Sequence, residues 1–115
     1  MKISYSKGRI KIKYEIDCII KIYYPIDIKN LYLDDYINMI SNNHYYPSWE
    51  IGWQKSMNDA RNVRLSIVDK NGTMFLRIAK FNKNGVIKSS VDINIEMHKE
   101  DLLIMFNNML AIKEQ

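Results

Sequence analysis

A chain of 115 residues with 47% apolar side chains has room for one core and enough material to build it, so a single domain spanning 1–115 is expected. Charge interrupts the N-terminal run MKISYSKGRIKIKYEID at Lys2 and then at every second residue from Lys7 to Asp17, and no 18-residue apolar stretch follows, so neither a signal peptide nor a membrane-spanning helix is expected, and a cytoplasmic protein is. The formal charge is +4, and residues 1–30 account for it with seven basic side chains against three acidic ones.

In chain order, Ile3 and Tyr5 precede the turn signal Ser6-Lys7-Gly8, which predicts a short first strand paired as a hairpin with the next. Residues 9 to 24 alternate, with Ile10, Ile12, Tyr14, Ile16, Cys18, Ile20, Ile22 and Tyr24 on one parity and Arg9, Lys11, Lys13, Glu15, Asp17 and Lys21 on the other. One long strand, or two, with a single buried face follows from that pattern. Pro25 closes the segment. From Ile28 to about Ser41 the apolar positions Leu31, Leu33, Tyr36, Ile37 and Ile40 recur at helical spacing, and Asn42-Asn43 supplies a stop. Between His44 and Arg61, Tyr45, Tyr46, Pro47, Trp49 and Trp53 crowd together, and Ser48 stands where it would cap a short helix carrying both tryptophans at i and i+4.

The second half reads as a meander. Val63, Leu65 and Ile67 alternate up to Asp69-Lys70-Asn71-Gly72; Met74, Leu76 and Ile78 alternate up to Asn82-Lys83-Asn84-Gly85; Val91, Ile93, Ile95 and Met97 alternate again. From Lys99 to about Lys113, Leu102, Leu103, Met105, Phe106, Met109, Leu110 and Ile112 have helical spacing, with Glu100 and Asp101 where the helix dipole favours anions. The expected fold class is α+β: an antiparallel β-sheet, made of an N-terminal hairpin plus a C-terminal three-stranded meander, packed against a C-terminal helix and a middle helical segment.

Little in the chain suits catalysis. His44 and His98 are the two histidines, and neither has a second ligand at metal spacing; Cys18 stands alone, as a small buried apolar residue would. The serines lack a nucleophile-elbow context, and Gly8, Gly52, Gly72 and Gly85 form no phosphate-binding loop. A non-enzyme without cofactor or metal is the expectation.

Three surfaces qualify for binding. Arg9, Lys11 and Lys13 project from one strand face at intervals of about 6 to 7 Å, close to the phosphate spacing of an extended single strand. A solvated edge strand guarded by lysines has the same pattern. In the meander, Arg64, Ser66, Phe75, Arg77 and Phe81 share the face opposite Met74, Leu76 and Ile78, an interleaving of aromatic and cationic groups that suits single-stranded nucleic acid. The third strand sets Asp92, Asn94 and Glu96 on that face too, where they would repel phosphate or pair with Arg64 and Arg77. Tyr45, Tyr46, Trp49 and Trp53 are either a stacking platform or a satellite core.

The run RNVRLSIVDKNGTMFLRIAKFNKNGVIKSSVDINIEMHKEDLLIMFNNML, residues 61–110, resembles the single-stranded-DNA-binding domain of the transcriptional positive cofactor four family and its Whirly relatives, in which consecutive antiparallel strands run into a C-terminal helix. Leu76-Arg77-Ile78 and Val91-Asp92-Ile93-Asn94-Ile95 carry the likeness, while Asp92 departs from the small or basic residue expected there. The resemblance implies that Arg77, Lys80, Phe81 and Lys88 face nucleic acid, and that a homodimer forms through the C-terminal helix. The competing class is a protein-interaction domain that binds one protein partner, such as a small antitoxin, an immunity protein or a phage-encoded inhibitor, with Tyr45 to Trp53 as its anchors. A nucleic-acid binder, single strands favoured, is the leading expectation.

Overall fold

The computed structural model describes residues 1–45 and 63–115. It begins with three antiparallel strands, β1 (Lys2–Ser6), β2 (Arg9–Glu15) and β3 (Ile19–Pro25), in the order β1-β2-β3. Ser6 pairs with Arg9 across a two-residue turn whose members, Lys7 (φ 52°) and Gly8 (φ 76°), are both left-handed. That is the turn whose twist matches a hairpin, and a side chain at Gly8 would be strained there.

The alternating run 9–24 is therefore two strands. Glu15 pairs with Ile19 and Tyr14 with Ile20, so odd residues face odd and even face even. The reversal leaves parity unchanged, which is why one alternation runs unbroken through the turn.

After β3 a 3-10 turn, Ile28–Asn30, is capped by Asp27, whose Oδ1 accepts from the Lys29 N–H at 3.0 Å. Leu31 is extended, and the first α-helix, α1, spans Leu33–Asn42. The predicted helix thus starts late, because the capped turn takes up its first residues. Asp34 and Asp35 occupy the first turn of α1, where the dipole favours carboxylates, and Asn43 ends it in a left-handed conformation (φ 51°). The short helix expected around Ser48 lies outside the described residues, as do Tyr46, Trp49 and Trp53.

The second half forms the meander: β4 (Val63–Lys70), β5 (Thr73–Phe81) and β6 (Ile87–Asn94) in the order β4-β5-β6. Asn71 (φ 54°) and Gly72 (φ 88°) make the first turn, with Asp69 Oδ1 accepting from the Gly72 N–H at 2.8 Å. β6 begins earlier than its apolar alternation suggests, since Ile87 to Ser90 are exposed and carry no burial pattern. The last helix, α2 (Lys99–Lys113), runs as its spacing predicts.

The fold is α+β, with its strands divided between two three-stranded sheets. Buried residues of both sheets and both helices make one cluster that includes Ile10, Ile12, Tyr24, Tyr36, Met39, Leu65, Leu76, Ile93 and Phe106. Tyr36 of α1 stacks on Phe106 of α2, with centroids 5.0 Å apart and planes 4° from parallel. The Tyr36 hydroxyl donates to the Leu65 carbonyl at 3.0 Å, so one side chain ties α1 to α2 by its ring and to β4 by its polar end. Asn108 Nδ2 of α2 donates to the Tyr5 carbonyl at 3.0 Å and so covers the β1 edge. Among the described residues no helix is long and apolar enough to cross a membrane.

Candidate functional site

The first sheet buries Ile3, Tyr5, Ile10, Ile12 and Tyr24 on one side, which turns the odd residues of β2 and β3 and the even residues of β1 outward. Register arranges that outer face as a three-by-three grid: Ser6, Arg9 and Pro25 on one rung, Ser4, Lys11 and Tyr23 on the next, Lys2, Lys13 and Lys21 on the third. Rungs are about 6 to 7 Å apart along the strands and neighbours about 5 Å apart across them. Five of the nine positions are cationic, one is an exposed tyrosine and none is a carboxylate.

Arg9 lies over the Tyr23 ring, its Cζ 5.0 Å from the centroid, so the ring is braced while 43% of Tyr23 stays exposed. Glu15 stands one rung beyond the grid and accepts from Lys13 Nζ at 2.8 Å. That bond, with the charges of Lys13, Lys2 and the N-terminus, holds the Glu15 carboxyl below the usual range. An open recess of about 610 Å³ lies among Lys2, Ser4, Lys11 and Lys13, with Asp101 of α2 at its rim.

Arg9, Lys11 and Lys13 thus come together as their spacing implies. Lys2, Lys21 and Tyr23 carry no such signal of their own in the sequence; the parity of β3 points to the last two, but only the register brings them level with Lys11 and Lys13.

The outer face of the second sheet is arranged differently. Arg77 grips Asp92 with two bonds, Nε to Oδ1 at 2.8 Å and a terminal nitrogen to Oδ2 at 3.0 Å, and Lys70 also ion-pairs with Asp92. The Arg77 bond, opposed by partial burial and reinforced by Lys70, holds the Asp92 carboxyl below the usual range. Arg64 lies over Phe81 at 4.2 Å and Lys70 Nζ over Phe75 at 4.8 Å, so each ring has a cation on it.

Lys80 belongs to the opposite parity, paired with Val63 and Ser89 rather than facing out with Arg77 and Phe81. Register passes from Lys80–Ser89 to Phe81–Ile87, which makes Lys88 the extra residue of a bulge. Cys18, expected to be buried, is exposed, because the β2–β3 turn projects past the core. Tyr45, the described member of the aromatic segment, packs partly buried against the core, and burial followed by the Glu96 charge raises its phenol pKa.

Among the described residues no group of three or more His, Cys, Asp or Glu is placed to hold a metal ion. No family model, curated protein or solved structure matches the chain.

Proposed function

We propose that this chain is a non-enzymatic nucleic-acid-binding protein that holds single strands on the outer face of its first sheet. The observation that carries the reading is the grid: Lys2, Arg9, Lys11, Lys13 and Lys21 beside an exposed Tyr23, with no carboxylate among the nine positions. Rung spacing near the phosphate repeat lets Arg9, Lys11 and Lys13 each meet a successive phosphate, releasing counterions. Tyr23, braced by Arg9, offers a face on which a base can stack, for about 1 to 3 kcal/mol. An open sheet face suits an unpaired strand, whose bases can turn toward the protein, better than a duplex whose bases are already stacked.

The meander face, favoured by the family resemblance, is the weaker candidate for the same role. Its central guanidinium is held by two bonds to Asp92, which Lys70 also pairs with, so a phosphate there would have to displace a doubly bonded ion pair. On the first sheet, among the described residues, Lys13 alone is ion-paired, by one bond to the exposed Glu15.

The test is fluorescence anisotropy with labelled single- and double-stranded oligonucleotides across a salt series. Salt-sensitive binding that favours single strands supports the reading. No binding at low salt overturns it in favour of a protein partner.

A further inference from the structure

The cationic grid ends differently at its two ends. Along β2 the outward positions run Arg9, Lys11, Lys13 and then Glu15, and the β3 residue level with Glu15 is Ile19. At the other end the exposed Lys7 carries the charge on into the β1–β2 turn. A polyanion laid along β2 thus meets cations from Lys7 to Lys13 and an exposed carboxylate one rung further, which repels the phosphate of a strand that continues.

The third rung also differs from side to side. Lys13 is flanked by Lys2 on β1 and Lys21 on β3, and of these two it is Lys2 that lines the recess of about 610 Å³, together with Met1, Ser4, Lys11 and Lys13. That volume lies within the range of about 300 to 1,000 Å³ usual for small-ligand sites, so the recess admits a nucleotide and not merely an ion.

Its charge selects the kind of group it takes. Three ammonium groups face one carboxylate, that of the exposed Asp101 at the rim, and Lys13 has a single bond to Glu15 to exchange for a phosphate. Ser4 adds a hydroxyl that donates or accepts. A phosphodiester inside a strand carries one negative charge, whereas a phosphate monoester at a strand end carries about 1.5 to 2 at neutral pH and has more oxygens free to accept. The excess of cations therefore favours the monoester.

We propose, resting on the nucleic-acid reading, that the recess holds the terminal phosphate of a single strand laid along β2, so that phosphorylated strand ends bind more tightly than hydroxyl ends. The strand passes Lys7 and Arg9 and stops where Lys2, Lys11 and Lys13 line one recess, short of Glu15. A 5′ and a 3′ phosphate present the same monoester, and the two are separated by experiment.

The test is competition anisotropy, in which an internally labelled oligonucleotide is displaced by unlabelled strands of one sequence ending in a 5′-phosphate, a 3′-phosphate or hydroxyls at both ends. The expected result is that at least one phosphorylated strand binds about tenfold more tightly than the hydroxyl-ended one, the lower part of what bonds to charged groups contribute. Lys2→Ala, at an exposed position, should cut that preference to about twofold or less, whereas Lys21→Ala, on the same rung but away from the recess, should weaken all three strands alike and keep the preference. Equal affinity for phosphate and hydroxyl ends retains the function and overturns this assignment alone. So does a preference that Lys2→Ala leaves intact, or that Lys21→Ala reduces equally, since either marks a general effect of added charge. No binding of any strand overturns both.

Discussion

The two sheets are built alike and finished differently. Each has three antiparallel strands, opens with a two-residue left-handed turn and buries one face in the shared cluster. Each central strand also sets basic side chains outward, Arg9, Lys11 and Lys13 on β2 and Arg77 on β5. What separates them is the neighbour each cation meets in register. Lys11 stands between Ser4 and Tyr23, which leave its charge intact, whereas Arg77 stands between Ser66 and Asp92, which accepts two bonds from it. On the proposed reading, a basic strand serves as a binding face where its flanking strands withhold carboxylates.

The sharpest way to break this contrast is to remove cations from each sheet in turn. Replacing Arg9, Lys11 and Lys13 together with alanine should weaken single-strand binding about a hundredfold at 50 mM salt, and lower the slope of log K against log salt by about 2. Anisotropy measures both, with circular dichroism to show that the sheet persists. Arg77→Ala should leave binding within about twofold and the salt slope unchanged, since a guanidinium held by two part-buried bonds to Asp92 neutralises no phosphate, whereas Lys13 has one bond, to the exposed Glu15, to exchange for a phosphate. An equal loss from both variants would erase the distinction between the sheets.

Converting one sheet toward the other comes next. Asp92→Asn keeps the side-chain shape but strips Arg77 and Lys70 of their carboxylate, and should cost about 1 to 3 kcal/mol in urea unfolding while raising oligonucleotide affinity a few-fold. It also carries a pH signature. The Asp92 carboxyl is held below its unfolded value, so its stabilisation is fully present above a pH of about 3.9 and is lost as pH falls through the lower folded value. Acid titration of Asp92→Asn should lack that part of the decline.

Smaller effects probe what the sheets share. Tyr36→Phe removes the bond to the Leu65 carbonyl but keeps the stack on Phe106, and should cost about 1 kcal/mol in thermal unfolding with oligonucleotide binding unchanged. Asn108→Ala uncovers the Tyr5 carbonyl at the β1 edge and should cost about 0.5 kcal/mol, read in the same way.

Much of this was legible in the residues. Alternation located β2, β4 and β5, Asn71-Gly72 located a turn, and the spacing of Leu102, Phe106 and Met109 located α2, because each is a local pattern with a period set by backbone geometry. The paired possibilities for Asp92 were legible too, but not the outcome. Repulsion of phosphate and pairing with Arg77 use the same residues, and only the position of β6 beside β5 selects the second.

By itself, then, the sequence determined the α+β class, the inner and outer sides of the strands except at the β2–β3 end, where Ile16, Cys18 and Ile20 share the inner parity yet are exposed, and the cationic character of β2. Tertiary structure decided that residues 9–24 fold back on themselves, that Lys2, Lys21 and Tyr23 join Lys11 and Lys13 on one surface, and that Arg77 is neutralised. The physical reason is that periodicity records which side of a strand meets the core, whereas charge acts over a few ångströms between strands whose register is fixed by turns and packing.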